Sequence, residues 1–136
     1  YAHTPDAYEK VLGTICKMSS GKMTVIFGAG GDRDVSKRPT MATIAEKFAE
    51  QCFITPDNPR FDNPQAIQED IVKGFTRKCY TVFSDRGKAV RAALTDLKKN
   101  DILAVLGKGR ENYQEIRGEK IPYSDIKIIQ EFCDEN

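Results

Sequence analysis

Four charged residues in this sequence could bind a small molecule that carries both a positive and a negative charge. Arg33 and Arg60 can each hold a carboxylate through two parallel hydrogen bonds from a planar guanidinium group. Asp57 and Glu111 can accept hydrogen bonds from an ammonium group, and so can the backbone carbonyls around Gly107. Together these groups suit an amino acid or a diamino acid. The alternative is that the four charges pair with one another or face solvent.

The segment around Arg60 is more rigid than a simple connection requires. TPDNPRFDNP (55–64) contains three prolines and repeats the Asn-Pro dipeptide. Each proline fixes its own φ and restricts the residue before it. Such a segment would hold Arg60 in one place, which favours a binding role for this arginine.

Two glycine-rich segments resemble nucleotide-binding loops but lack the required spacing. The glycines of GAGGDRD (28–34) do not follow G-x-G-x-x-G, and Thr55-Pro56 stands where an acidic residue would bind a ribose hydroxyl. GKGR (107–110) lacks the first glycine of a P-loop and the Ser or Thr that would hold magnesium. The sequence therefore disfavours nucleotide binding at either segment.

The remaining reactive side chains show no catalytic or metal-binding arrangement. His3, the single histidine, precedes the first helix signal and belongs to no Ser/His/Asp or Cys/His set. The four cysteines are widely spaced, form no CxxC pair and lie in apolar stretches. We predict free, buried cysteines rather than disulfides, as is typical of cytoplasmic proteins. We predict no metal site.

The composition is typical of one globular domain. The chain has 136 residues, of which 40% are hydrophobic and 30% charged, and its formal net charge is +1. That balance does not favour a nucleic-acid partner, and no apolar run approaches the ~18 residues of a membrane span. The sequence opens at Tyr1 without a methionine. We expect residues 1–136 to be a single domain from a longer protein.

Helix and strand signals alternate along the chain. Thr4, Pro5 and Asp6 provide an N-cap, a proline for the first helical position and a carboxylate for the first turn. Apolar runs predict strands at 22–27, 51–55, 78–83 and 101–107. Helical spacing predicts helices at 5–18, 38–50, 64–75, 85–99 and 124–133. Residues 112–123 predict a β-hairpin.

This order predicts an α/β fold. We expect a Rossmann-like, mostly parallel sheet of about six strands with helices on both faces and an antiparallel hairpin added at an edge near the C-terminus. Ligands of such sheets bind beyond the carboxyl ends of the strands. The loops carrying Arg33, Arg60 and Glu111 follow the first, second and fourth strands, and SDRG (84–87) follows the third. These loops should meet at one edge.

Four motifs, in this order and spacing, resemble the C-terminal domain of the Mur ligases. They are YAHTPDA (1–7), FGAGGDRD with KRP (27–39), TPDNPR (55–60) and GKGRENYQ (107–114). The combination of GGDRD with DNPR is similar to the MurE branch of that family, the UDP-N-acetylmuramoyl-tripeptide synthetases. The resemblance extends over essentially the whole chain.

The resemblance implies an ATP-dependent amide-forming ligase of bacterial peptidoglycan synthesis, acting in the cytoplasm. Such ligases join an amino acid to UDP-MurNAc-L-Ala-D-Glu, whose carboxylate becomes an acyl phosphate that the α-amine attacks. A central domain with a P-loop holds most of the ATP and Mg²⁺, and a C-terminal domain like this chain brings the amino acid. The resemblance therefore implies no catalytic residue here and no activity for this chain alone.

The resemblance also implies roles for individual residues. Arg33 is similar to an arginine that contacts a substrate carboxylate. Asp57, Asn58 and Arg60 match the DNPR motif, which in these relatives binds the far end of meso-diaminopimelate. Because lysine lacks the second carboxylate, the intact motif favours meso-diaminopimelate as the substrate.

The last motif and the histidine complete the implied site. Gly107 and Glu111 match GKGHE positions that contact the same diamino acid. His3 resembles a residue that approaches the nucleotide when the domains close, and in this chain alone we expect it to have no partner. Arg110 replaces the usual His and could pair with Glu111, while Ala29 replaces a common Cys. The alternatives are a relative that adds lysine or lanthionine, or a non-catalytic amino-acid-binding module.

Overall fold

Short apolar segments form the strands of this protein, and helices connect them. The structure is a computed structural model that describes residues 3–32 and 34–136. Over these residues the helices are α1 (Pro5–Met18), α2 (Lys37–Phe48), α3 (Pro64–Val72), α4 (Arg86–Asp96) and α5 (Asp125–Glu135). The strands are β1 (Met23–Phe27), β2 (Gln51–Ile54), β3 (Tyr80–Val82), β4 (Ile102–Val105), β5 (Tyr113–Ile116) and β6 (Glu119–Pro122). No helix within these ranges is long and apolar enough to cross a bilayer.

The first four strands form one parallel sheet in the order β3-β2-β1-β4. Val25 in β1 lies opposite Cys52 of β2 on one side and Ala104 of β4 on the other. Parallel neighbours require crossover connections, and α2, α3 and α4 supply them in turn. All four carboxyl ends therefore lie at the same edge. The Rossmann-like α/β fold is confirmed.

Alternate residues of β1 point into two separate cores. Val25 and Phe27 pack with residues of α1, α2 and α3, whereas Ile26 packs with residues of α4 and α5. All three side chains are fully buried, and burial of a side chain of this size contributes about 1.5–3 kcal/mol. Helices thus cover both faces of the sheet, as predicted.

The C-terminal hairpin does not join this sheet as the sequence analysis expected. Within the described residues, β5 and β6 pair only with each other, as a separate antiparallel sheet. The hairpin contacts Arg60 instead: the Arg60 N–H donates to the Glu115 carbonyl, and the Arg117 N–H donates to the Arg60 carbonyl, both at 2.8 Å. The segment cannot extend this bridge into a strand, because Pro56 and Pro59 have no N–H to donate.

The prediction of four buried cysteines is confirmed only for Cys52, and Cys79 is half-buried. All four are free thiols, and Cys52 in the middle of the sheet is buried. Cys16 and Cys133 are exposed. Both lie on helices that bury only one side, and apolar neighbours in the sequence do not by themselves determine which side a residue occupies.

Candidate functional site

A cavity of about 560 Å³ lies at the carboxyl edge of the parallel sheet. This volume is within the range of small-molecule sites. Asp57, Asn58, Arg60 and Glu111 all line the cavity, so the structure brings together four of the predicted binding residues. Arg33, the fifth charged or amide side chain of that prediction, lies outside the described residues.

The loop after β1 packs directly against the Asn-Pro segment. The Gly31 N–H donates to the Asn58 carbonyl at 2.8 Å. A Cβ on Gly31 would clash with the Pro59 carbonyl oxygen, so only glycine permits this approach. The two loops therefore form one continuous wall of the cavity.

Arg60 is held in place by the protein itself. Its Nε donates to Glu115 Oε2 at 2.9 Å, and its Nη1 donates to the Gly31 and Asn58 carbonyls at 3.0 and 3.4 Å. Its backbone φ is +54°, a conformation that a non-glycine residue adopts only where surrounding contacts stabilise it. Among the described residues, no acceptor binds Nη2. The sequence predicted that the whole guanidinium group of Arg60 would bind a ligand carboxylate. In the structure its Nε already binds Glu115, a residue that was not predicted to take part.

The acidic residues of the cavity gather around a buried lysine. Lys108 Nζ lies 2.8 Å from Asn58 Oδ1, 3.0 Å from Asp57 Oδ1 and 3.1 Å from Glu111 Oε1. Asn58 Nδ2 also donates to Glu111 Oε1, at 3.3 Å. Arg110, which we expected to approach Glu111, has an exposed side chain. Lys108 is a cation that contacts Glu111 Oε1, at 3.1 Å.

Two glycines explain why Lys108 points inward. Gly107 has a φ of +105° and Gly109 a φ of +55°, both in the region that favours glycine. Gly107 does not line the cavity, but a Cβ there would lie 2.6 Å from Asp57 Oδ2. The sequence signal for this buried lysine is its position between two glycines just after β4. The same segment, GKGR, was considered above only as a possible P-loop.

Asp57 is ionised although its side chain is only 1% exposed. Burial opposes its ionisation, but the nearby His3 ring and the charges of Lys108 and Arg86 lower its pKa to about 2. The carboxylate therefore carries its negative charge throughout the physiological pH range.

His3 has a partner, contrary to the prediction. Its Nε2 lies 3.6 Å from Asp57 Oδ2, while 37% of its side chain remains exposed. The start of α1 places it there: Thr4 Oγ1 accepts a hydrogen bond from the Ala7 N–H at 3.2 Å, as a helix N-cap does. The helix start was predicted correctly, but the direction of the residue before it depends on the tertiary structure.

The low pKa of Asp57 predicts a specific loss of stability in acid. A carboxylate titrates near 3.9 in an unfolded chain, so a folded pKa of about 2 stabilises the native state by about 2–3 kcal/mol at neutral pH. This contribution is present above about pH 4 and disappears as the pH falls through about 2. Urea unfolding at several pH values should show a larger acid loss for the natural sequence than for Asp57→Asn. Equal losses would show that Asp57 is not the residue responsible.

A second buried ion pair lies beneath the cavity. Arg86, the residue of the SDRG segment that begins α4, donates from Nε and Nη2 to Asp125 at 3.0 and 2.8 Å. It also reaches Thr55 Oγ1 at 3.3 Å and the Leu106 carbonyl at 2.9 Å, which follow β2 and β4. This loop follows β3 at the expected edge, but its arginine enters the core instead of lining the cavity. Neither partner was singled out from the sequence.

The whole chain is similar to one enzyme family. Residues 1–109 match the family model described as "Mur ligase, glutamate ligase domain". Proteins named UDP-N-acetylmuramoyl-L-alanyl-D-glutamate--2,6-diaminopimelate ligase are 48% identical in Aquifex aeolicus, over 96% of this chain, and 46% identical in Prochlorococcus marinus, over 99%. The chain spans 27% of the length of each.

Solved structures show the same similarity. A structure of a UDP-N-acetylmuramoyl-L-alanyl-D-glutamate--2,6-diaminopimelate ligase superposes with a TM-score of 0.93 and 36% identity, covering 99% of this chain and 28% of that one. A bifunctional folylpolyglutamate synthase/dihydrofolate synthase from Yersinia pestis superposes with a TM-score of 0.58 at 16% identity, over 98% of this chain and 27% of that one. The latter shows a shared fold only.

Proposed function

The chain belongs to the Mur ligase family, and from that premise we propose that it is the amino-acid-binding domain of an ATP-dependent ligase. The complete enzyme adds meso-diaminopimelate to UDP-MurNAc-L-Ala-D-Glu in peptidoglycan synthesis, in the cytoplasm where ATP and UDP-linked precursors are available. The names of the relatives, which the chain matches over nearly its whole length, support this substrate.

The observation that carries the proposal is the distribution of charge around the cavity. Arg60 lines the cavity together with Glu111, Asn58 and the buried Asp57, so one guanidinium group and two carboxylates are close to the same space. The far end of meso-diaminopimelate carries a carboxylate and an ammonium group together. The carboxylate is received by Arg60 and the ammonium group by Glu111, whose Oε1 accepts a hydrogen bond from Asn58 Nδ2. Asp57, 1% exposed, contributes its negative charge from beneath.

Binding of the far end leaves the α-amine at the near end free to react. In the complete ligase it attacks the acyl phosphate formed on the nucleotide substrate. This chain accelerates that step by holding the amine in position and requires no protein nucleophile. Arg33 is proposed to bind a substrate carboxylate, and His3 to approach the nucleotide when the domains close.

ATP and Mg²⁺ are assigned to the rest of the ligase. The chain has no P-loop, and no group of three His, Cys, Asp or Glu side chains in the described part of the chain is arranged to share a metal ion. On its own, the purified chain should neither hydrolyse ATP nor form product above a mock preparation.

A substrate comparison tests the proposal. The full-length ligase is given ATP, UDP-MurNAc-L-Ala-D-Glu and, in separate reactions, meso-diaminopimelate, lysine or lanthionine. Because a site built for a charged group is left with unpaired charge when that group is missing, kcat/KM for meso-diaminopimelate should exceed that for lysine by at least about 100-fold. Comparable values for lysine or lanthionine would contradict the substrate. Binding of the diamino acid without any ligation would indicate a non-catalytic module.

A further inference from the structure

Lys108 is a buried lysine whose partners all belong to the proposed amino-acid site. Its side chain is fully buried, whereas lysines are almost never buried unless paired. An ammonium group has three hydrogens to donate. Lys108 Nζ has an oxygen of Asp57, Asn58 and Glu111 within 3.1 Å, so every acceptor around it belongs to a residue of the proposed amino-acid site.

Lys108 lies between two carboxylates of the proposed amino-acid site. Asp57 Oδ1 and Glu111 Oε1 are 3.0 and 3.1 Å from Lys108 Nζ, so one ammonium group stabilises the charge of both. Without the lysine, two carboxylates would share the same surroundings, and repulsion would cause one of them to keep a proton. A protonated carboxyl would attract the ammonium group less strongly.

Three other groups face Asp57 and do not replace Lys108. His3 Nε2 is 3.6 Å away at the exposed side. Arg86 also lowers the pKa of Asp57, but two of its nitrogens donate to Asp125. The Tyr8 hydroxyl is buried, and its pKa is raised by burial and by the Asp57 charge, so it remains neutral.

Lys108 also joins the two loops of the site. Asn58 Oδ1, which accepts from Lys108 Nζ, accepts a second hydrogen bond from the Glu115 N–H at 2.9 Å. Glu115 in turn holds Arg60 Nε. The lysine is therefore connected to both the ammonium-binding and the carboxylate-binding sides of the cavity.

We infer that Lys108 is a positioning residue of the amino-acid site, which orients Asp57, Asn58 and Glu111 and keeps both carboxylates ionised to receive the ligand's ammonium group. The inference rests on the proposed function, because it assigns the ammonium group of the diamino acid to the carboxylates that Lys108 contacts. It concerns a residue that acts through its neighbours and does not itself touch the substrate.

The test uses Lys108→Met in the full-length ligase, because methionine has a similar shape without the charge. KM for meso-diaminopimelate should rise by at least about 30-fold, with KM for ATP changed by less than about twofold. The acidic limb of the pH profile of kcat/KM should move upward by at least about one pH unit, because one carboxyl now holds a proton. If Lys108 had a purely structural role, its replacement would not shift the acidic limb of kcat/KM. It would also not raise KM for meso-diaminopimelate while leaving KM for ATP unchanged.

The matched control is Lys120→Met. Lys120 Nζ lies 4.8 Å from the centre of the Tyr113 ring, and Lys108 Nζ lies 5.8 Å from the same ring. Lys120 is exposed and lies on the hairpin, so its replacement should leave both KM values and the pH profile unchanged.

A double variant covers the case in which Lys108→Met does not fold. Lys108→Met/Glu111→Gln removes one charge of each sign, so a single carboxylate remains. Its acidic limb should return to the wild-type position while KM stays raised. A limb that remains shifted, or a Lys108→Met enzyme with wild-type KM and pH profile, would overturn the inference. If the wild-type enzyme prefers lysine, the proposed substrate fails, and the same comparison made with lysine still decides the role of Lys108.

Discussion

Arg60→Ala in the full-length ligase is expected to lower kcat/KM for meso-diaminopimelate by about 30- to 1000-fold, which corresponds to about 2–4 kcal/mol of lost binding to the transition state. The reason is the preparation of this side chain before any ligand arrives. Glu115 and the Gly31 carbonyl hold Nε and Nη1, and Nη2 is left for the substrate. Most of the entropy cost of ordering a long side chain is therefore met during folding.

Arg60→Lys should rescue little of this loss. A lysine offers one ammonium group in place of a planar fork, so it cannot bind Glu115, the Gly31 carbonyl and a ligand carboxylate in the same geometry. Activity with lysine as the substrate should stay low or rise slightly in Arg60→Ala, because the variant no longer leaves a guanidinium group unpaired.

The control for this experiment is Arg91→Ala. Arg91 lies on α4, pairs with Glu131 and Glu135, and is 38% exposed, so its replacement tests the loss of an arginine elsewhere. Arg60→Ala should still fold but lose about 1–3 kcal/mol, because the Arg60 and Glu115 side chains are only 21% and 32% exposed and the Gly31 carbonyl loses a donor. If kcat/KM for meso-diaminopimelate stays within about twofold of wild type, Arg60 does not bind the distal carboxylate.

Arg86→Met is expected to lower the free energy of unfolding by about 3–5 kcal/mol. Methionine fills much of the space but leaves Asp125, which is 3% exposed, as a buried carboxylate without its cation. The Thr55 hydroxyl and the Leu106 carbonyl lose their donor as well. The Tyr123 hydroxyl, which donates to Asp125 Oδ1 at 2.6 Å, cannot compensate for a missing charge.

A double variant separates the broken pair from the loss of packing. In Arg86→Met/Asp125→Leu neither charge of this pair remains buried, so stability should return to within about 2 kcal/mol of wild type. Arg91→Met, on the same helix but exposed, should cost less than about 1 kcal/mol. Urea unfolding followed by circular dichroism measures all three. A loss below about 1 kcal/mol for Arg86→Met would show that the pair does not hold α4 and α5 to the strand ends.

Local chemistry made the elements of this domain predictable. Thr4 and Pro5 start α1 because an N-cap hydroxyl and a fixed φ act within one helical turn. The β-branched run in β1 is a strand because it is buried on both faces. Alternation of strands and helices then implies a parallel sheet, and a parallel sheet collects its carboxyl-end loops at one edge. That is why Asp57, Asn58, Arg60 and Glu111 could be expected to meet.

The partners of those residues were not predictable in the same way. Arg60 pairs with Glu115 and Asp57 with Lys108, across separations of more than fifty residues in each case. No local rule connects such residues. Glu115 reaches Arg60 because the hairpin docks on the proline-rich segment, and Lys108 reaches Asp57 because β2 and β4 both pair with β1.

The sequence by itself determined the fold class, the edge that carries the site and the types of charge at that edge. Only the tertiary structure decided how those charges are shared. Burial removes water as a partner, so each buried charge must be matched by a group from another element. Lys108 beneath Asp57 and Asp125 beside Arg86 are those groups. Among the described residues, no acceptor binds Arg60 Nη2, which is the group that we propose for the carboxylate of the ligand.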